Sequence, residues 1–473
     1  WYLWRRRTDG LASYDLLLTW MLKMIAAGLF LAVYTVHYGS GTLTADPQAF
    51  MDESRMLHDV AQHSVGDYLR FLVGTDTPEM VMRYLPETSH WTVGDLTLIN
   101  DSKNVIRVNS LVWFLSGGNV YAHVLIFGFL SLLGFRELYL AFYRSVALPK
   151  RLFWYAIVLF PSVIFWTGSM LKEPLMVLGL CLVLRAVFGQ LTRWQKSWRL
   201  VLGALLMLAF KPYVLICLLP ALAVYYAAKY VFNGRTGVAV LAIAALSVIV
   251  LLVFPAQRKK GVFYLTRKQF DFINIGNGGL HAYADSCFFF FRPEQFRYLE
   301  IDEADSSVFL KRALHAKQVE LGRAHPFRTV VLTPNEKRWI LYYRANGCAS
   351  NVPVTFINSS FVQLVRNIPE ALGNAAFRPF FGDPGGWLKY FAVAETLALF
   401  GWLLYTFRFW KRARRETRLT VIVLLIFAVA LLLLIGWITP VLGAIVRYRV
   451  PAYLALLLIS LLLWKKKEIT IKA

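Results

Sequence analysis

Long apolar runs separated by short basic clusters dominate the chain. Stretches such as 237–255 and 419–437 are long enough to cross a hydrocarbon core of ~30 Å as helices, in which every backbone amide is bonded within its own segment. The two-residue alternation that a membrane barrel needs is absent. The pattern predicts about ten transmembrane helices, over approximately 16–37, 119–143, 152–169, 173–190, 199–210, 212–231, 237–255, 386–409, 418–437 and 447–464. The fifth is too short to cross alone and runs into Lys211-Pro212, so it reads as a half-helix or part of a broken helix. Residues 105–116 are apolar but also short, which suits an interfacial or re-entrant element.

Polar segments divide the chain further. Residues 1–37 hold the N-terminus and first span, 38–118 a first extracytoplasmic loop, 119–255 helices two to seven, 256–385 a large extracytoplasmic loop, and 386–473 the last three helices with a basic cytoplasmic tail. Within 52–63, Met56, Leu57, Val60 and Ala61 share one helical side, as in an amphipathic helix on a membrane surface. The large loop carries Gly276-Asn277-Gly278-Gly279 and strand-like pieces at 330–332 and 340–343, and a loop of that length is a small folded lobe or a lid. The expected fold is an all-α polytopic membrane protein with a small mixed extracytoplasmic lobe. No internal repeat is visible, which disfavours an inverted-repeat transporter.

Composition agrees. The chain has 473 residues, 58% hydrophobic and 17% charged, and a mean hydropathy of +0.51, more apolar surface than a globular core needs. A net charge of +23 would suggest nucleic acid if it lay on one soluble face. The cations instead cluster between apolar runs, at Arg5-Arg6-Arg7, Lys150-Arg151, Arg193/Lys196/Arg199, Lys411-Arg412 with Arg414-Arg415, and Lys465-Lys466-Lys467. That is the positive-inside pattern, which puts both termini in the cytoplasm and implies no nucleic-acid partner. The large outer loop is itself mildly basic, which suggests either an anionic ligand or contact with anionic headgroups. No cleavable signal peptide is evident in the first apolar run. Of four cysteines, Cys181 and Cys217 lie in apolar runs, whereas Cys287 and Cys348 share the outer loop and are candidates for one disulfide.

Ionisable groups near bilayer depth are the informative ones. Glu395 lies inside the eighth span and needs a partner or a proton, and a helix-bridging ion pair is the simpler role. Lys172-Glu173 sits at the turn between the third and fourth spans, where a lysine could hold a phosphate as a point charge or the two charges could simply be wetted. Arg447 and Arg449 open the last span on the outer side, against the positive-inside bias, and suit bidentate phosphate binding or snorkelling to headgroups. Lys211 and Arg378 are supporting cations. For acid–base chemistry the first outer loop offers Asp46, Asp52 and Glu53, and position alone does not choose among them. Metal-ligand spacings, paired CxxC, a Walker motif and a Rossmann fingerprint are all missing, so no metal and no cofactor are expected. Asn358-Ser359-Ser360 matches a glycosylation sequon, a short pattern that also arises by chance.

Several local features resemble the GT-C superfamily of polytopic glycosyltransferases, particularly bacterial envelope members. Thr44-Ala45-Asp46-Pro47-Gln48-Ala49-Phe50 is similar to the early outer-loop aspartate region, though it lacks the adjacent acidic or aromatic pairing of many members. Phe160-Pro161 through Lys172-Glu173 resembles a turn of some mannosyltransferases. Phe377-Arg378-Pro379-Phe380 with Glu395, and Arg447-Tyr448-Arg449-Val450-Pro451, look like late elements of related proteins. The resemblance implies a multi-pass protein of the bacterial cytoplasmic membrane that moves a sugar from a polyprenyl-phosphate donor, or another anionic lipid, to an envelope protein or glycan acceptor on the outer face. Asp46 would take the acceptor proton, and Arg447, Arg449 and Lys172 would stabilise the departing phosphate. The same topology suits a polysaccharide polymerase or O-antigen-ligase-like enzyme, with Arg292, His281, His315 and His325 as its residues. A different class is a transporter or a non-catalytic subunit of an envelope complex; a transporter needs a mid-membrane polar path, for which Glu395 with Arg136-Glu137 is thin material, the latter two falling near the cytoplasmic interface.

Overall fold

The computed structural model describes residues 10–91, 100–284, 287–302, 304–320, 328–334, 339–345 and 347–464. Arg5-Arg6-Arg7, His325 and Lys465-Lys466-Lys467 lie outside the described residues. Two compact units divide the chain, the first comprising Trp1–Leu222, Trp402–Leu425 and Tyr453–Ala473, the second Ala223–Gly401 and Ile426–Ala452.

Among the described residues, six helices are long and apolar enough to cross a membrane: Ser13–His37, Val120–Phe142, Pro212–Val231, Thr236–Val253, Lys389–Phe407 and Arg415–Ile438. The pair Leu442–Tyr448 and Val450–Leu463, bent by 51°, raises this to seven if it is one span. The protein is therefore a helical membrane protein, but ten separate spans are not what the structure shows. The expected span at 152–169 is broken into Lys150–Val158 and Pro161–Trp166, because a proline supplies no amide to the preceding turn and crowds its carbonyl. The expected fourth span is a helix of 16 residues, ~24 Å at 1.5 Å per residue. The fifth, Arg193–Phe210, begins with three cations in its first two turns.

In the first unit the helices are α1 (Ser13–Ala32, continued by a π turn), α2 (Ala45–His63), α3 (Val65–Val73), α4 (Pro78–Tyr84), α5 (Asp101–Ser116), α6 (Val120–Phe142), α7 (Lys150–Val158), α8 (Pro161–Trp166), α9 (Glu173–Phe188) and α10 (Arg193–Phe210), after which α11 (Pro212–Tyr226) begins. Local chemistry sets their ends. Asn100 caps α5 by accepting from the amides of Ser102 and Lys103, and Gly117 closes it at φ 56, a conformation that costs a side-chain-bearing residue energy. The apolar stripe of α2 (Pro47, Phe50, Met51, Leu57, Val60) is buried, and α2 packs on α5 and α3. Of the amphipathic face read within 52–63, Leu57 and Val60 are buried inside the protein and Met56 and Ala61 are half-buried. The segment 105–116 belongs to α5 and is likewise a packed helix.

Helices α9 and α10 cross where Gly179 meets Gly203. A Cβ on Gly203 would stand 2.6 Å from the Gly179 carbonyl oxygen, and one on Gly179 would stand 2.8 Å from that of Gly203. Small residues at such a crossing let backbones touch. Gly203→Ala is expected to cost about 1–3 kcal/mol through forced separation, read as a lower thermal unfolding midpoint in detergent, and an unchanged midpoint would refute the close-crossing argument.

In the second unit, α12 (Thr236–Val253) leads into α13 (Pro255–Asn277), so the outer loop expected to begin at 256 opens as a helix. A seven-stranded antiparallel sheet follows, in the order β3-β4-β7-β1-β2-β5-β6. The strands are β1 (Gly279–Ala284), β2 (Cys287–Phe291), β3 (Leu299–Asp302), β4 (Ser307–Leu310), β5 (Leu314–Glu320), β6 (Arg328–Leu332) and β7 (Trp339–Ala345). The two strand-like pieces read from sequence lie inside β6 and β7. Leu280, Ala282, Phe289, Phe291 and Trp339 build one face of the sheet, with both phenylalanine rings stacked on Trp339. On the other, Phe290 and His281 meet Phe270 of α13.

All four cysteines are free, so the Cys287–Cys348 disulfide is not formed. Cys287 pairs with Ala284 at the far end of β1, while the Cys348 amide bonds to Gly276 just before its near end. A strand length of roughly 16 Å thus separates them, well beyond the ~7 Å that a disulfide spans between Cα atoms.

His281 gives the lobe an acid-sensitive joint. Burial, with the charge of Arg267 adding, pulls its pKa from 6.5 down to about 4. Its Nε2 accepts from Asn274 Nδ2 at 3.1 Å, as only a neutral ring can. The unfolded chain takes up the proton first, so the contribution is intact above pH 6.5 and declines as pH falls toward about 4, where unfolding binds more protons than folding does. Protection of β1 amides, corrected for intrinsic exchange, is expected to fall across that interval and to stay level in His281→Leu.

Candidate functional site

Helix α5 is the spine of the polar interior in the first unit. Its Asp101 and Ser102 receive the Lys172 ammonium at 2.8 and 2.9 Å. Asn104 reaches the Ala209 carbonyl at the end of α10, 2.9 Å away. Lys103 and Arg107, one turn apart and both buried, each stand 5.6 Å from the Trp91 ring. Arg107 also donates to the Phe71 carbonyl at 2.7 Å and faces Asp76 at 3.8 Å. Burial draws the Arg107 guanidinium's pKa down and Asp76 opposes that.

Against this cationic wall stands a carboxylate–imidazole pair. Glu53, on α2, accepts on Oε1 from His90 Nδ1 at 2.8 Å and from the Ser89 amide and hydroxyl at 3.0 and 2.7 Å. Burial alone would raise the Glu53 pKa, but the hydrogen bond from His90, the charge of that ring when it is protonated, and the two bonds from Ser89 hold it below the usual carboxylate range. The side chain of Glu53 is 6% exposed and that of His90 26%, so the imidazole is the member facing outward. The Phe50 ring joins the two halves, with its centroid 5.5 Å from His90 and 5.6 Å from the Lys172 ammonium. Glu53 Oε2, Asp76 Oδ2 and Trp91 Nε1 are buried without a hydrogen-bond partner among the described residues, as are atoms elsewhere such as Trp437 Nε1.

Of the acids foreseen in this region, only Glu53 enters the cluster through these contacts. Asp46 and Asp52 are exposed. Asp46 lies one and two turns before Phe50 and Glu53, on the same side of α2, whereas Asp52 is turned away by the helical pitch. Lys172 joins the cluster directly. Lys211 pairs with Glu173 at 2.7 Å, deep in the unit, with side chains 3% and 0% exposed.

The late basic residues belong to the second unit. Helices α14 (Phe361–Arg366), α15 (Ile368–Phe377), α16 (Lys389–Phe407), α17 (Arg415–Ile438), α18 (Leu442–Tyr448) and α19 (Val450–Leu463) follow the sheet. Arg449 is fully buried. It donates to the carbonyls of Ala375 and Arg378 at the end of α15 and to the Thr396 hydroxyl on α16. That is a cation serving a helix C-terminus. Arg378 pairs with Asp383 and donates to Asn374 Oδ1. Glu395 and Arg447 are buried nearby in sequence to these groups, Arg447 beside the Tyr448 ring.

Of the residues offered for a ligase, His281 is half-buried against Phe270 and Phe290, whereas Arg292 and His315 are exposed, and the Gln295 side chain bonds to their backbone amide and carbonyl. Glu137 is gripped by Arg199 at 2.9 Å, with Arg136 and Arg185 at 3.5 and 3.8 Å, which staples α6, α9 and α10. Among the described residues, no three His, Cys, Asp or Glu side chains gather as metal ligands.

Sequence reasoning passed over His90, Lys103, Arg107 and Lys23. Lys23 was detectable as a lone charge in the apolar run of α1, and it donates to Thr167 Oγ1 at 2.8 Å. Lys103 and Arg107 stand four apart in a helix with an Asn cap, a pattern open to inspection. His90 carried no signal in the linear chain. No family model, curated protein or solved structure matches this chain.

Proposed function

We propose that the protein is a glycosyltransferase of the GT-C kind, built on about ten membrane-crossing segments when short and broken helices are included. It moves a sugar from a polyprenyl-phosphate-linked donor to an envelope acceptor at the extracytoplasmic face of a bacterial cytoplasmic membrane. The observation that carries this reading is the Glu53–His90 pair sharing the Phe50 ring with Lys172.

Glu53 fixes the imidazole through Nδ1 and stabilises its protonated form, leaving Nε2 to take the proton of an acceptor hydroxyl. The acceptor oxygen then bonds to the anomeric carbon, and the bond from that carbon to the phosphate oxygen breaks, its electron pair leaving with the lipid phosphate. Lys172 stabilises the charge developing there, with Lys103 and Arg107 behind it. Asp46, on the same side of α2, holds acceptor hydroxyls. In this reading His90 replaces Asp46 as base, and Arg449 anchors helices instead of holding phosphate.

Membranes containing the protein, given a radiolabelled polyprenyl-phosphate sugar, should form a product extended by one sugar. Block transfer would support the ligase or polymerase instead. Absence of any transfer across a panel of lipid-linked sugars, from membranes holding folded protein, would remove the enzyme reading.

A further inference from the structure

Among the candidate spans of the described residues, helix α12 is the least buried within the protein. Its 18 residues have a mean hydropathy of 2.8, and only 6% of them are buried. They measure ~27 Å at 1.5 Å per residue, close to the thickness of a hydrocarbon core. The helix ends at an exposed Phe254 and, one turn into α13, meets three consecutive cations, Arg258, Lys259 and Lys260. Among the described residues none of the three is ion-paired with a carboxylate. Arg258 lies over the Phe361 ring and Lys260 over Tyr264, contacts that leave their charge uncompensated.

The surrounding chain offers no remedy. No Asp or Glu occurs between Glu173 and Asp271, and Asp271 already faces Arg267. Beside these cations the surface is amphipathic: Val362 and Val365 of α14 are 75% and 47% exposed, and Tyr264 is 57% exposed. Arg366 is exposed on the same short helix. Exposed apolar side chains at the end of a lipid-facing span, next to unpaired cations, match a layer that is greasy below and negative above.

We propose that the α12–α13 junction, with Arg258, Lys259 and Lys260 as its charged edge, is a binding surface for anionic phospholipid headgroups. The acyl chains lie along α12, and the headgroup phosphate and its net charge meet the three cations. This surface is independent of the site around Glu53.

The test uses the full-length protein in dodecylmaltoside, offered equal amounts of dioleoyl phosphatidylglycerol and dioleoyl phosphatidylcholine, with bound lipid counted by native mass spectrometry. Phosphatidylglycerol should predominate on the parent. The variant R258Q/K259Q/K260Q should lose about tenfold or more of that preference, since each cation near a negative surface contributes substantially, while K259R/K260R should keep it. Unfolding midpoints of all three proteins are compared, so that loss of lipid is separated from loss of fold. Three results would overturn the proposal: equal adducts of both lipids on the parent, an unchanged preference in the triple glutamine variant, or displacement of the lipid by millimolar inorganic phosphate.

Discussion

Lys211→Met is expected to lower stability by about 3–5 kcal/mol, the cost of stripping one member from a buried ion pair. The ammonium stands 2.7 Å from Glu173 Oε1, with both side chains almost fully enclosed. Glu173 opens α9, and Lys211 occupies the non-helical residue between α10 and α11, so the pair ties the start of one helix to the break between two others. Removing the cation takes its Coulombic support from a buried carboxylate in a medium of low dielectric, where that support is largest. The double variant Glu173→Gln with Lys211→Met removes both charges and should recover most of the loss, because two neutral groups of similar size carry no such desolvation penalty. Thermal unfolding followed by tryptophan fluorescence in detergent distinguishes the cases. A double variant as unstable as the single one, or a single variant as stable as the parent, would show that the pair is not held as the geometry implies.

The membrane class was legible in the apolar runs, because the hydrophobic length needed to cross lipid is a property of the linear chain. Where the chain breaks was less legible. Residues 152–169 read as one span by hydropathy, yet Pro161 interrupts them, and hydropathy does not register a missing amide. The strands β6 and β7 were visible in part through their alternation, but the order of seven strands depends on pairings between residues far apart, such as Gly279 with Ala345. The site shows the same division. Glu53 could be singled out, with two other acids, by its place after the first span. What separates it from Asp46 and Asp52 is a histidine 37 residues away and a ring, Phe50, that also meets Lys172. Nothing in the linear chain marks Lys103 and Arg107 as buried, since their burial depends on Trp91 and on the packing of α5 against α2.

His90→Gln and Glu53→Gln should each reduce turnover of the lipid-linked sugar by about 10²–10⁴-fold, the range for loss of a positioned proton acceptor. The two substitutions act on one device. A glutamine in place of His90 has no group basic enough to take the acceptor proton, and a glutamine in place of Glu53 no longer favours the protonated imidazole that forms as the proton moves. Because neither residue works without the other, the double variant should be no slower than the worse single one, whereas independent contributions would multiply. Lys172→Met separates the other half of the chemistry. It should depress kcat for donors with poor phosphate leaving groups most, since the ammonium meets charge that is fully developed only as the glycosidic bond breaks. Asp46→Asn should chiefly raise the KM for acceptor. Unfolding midpoints near that of the parent establish that each effect is chemical, because Glu53 also anchors Ser89 and a collapsed loop would lower activity by another route. Parent-like turnover in both Glu53→Gln and His90→Gln, or losses that multiply in the double variant, would take the proton transfer away from this pair and return it to Asp46.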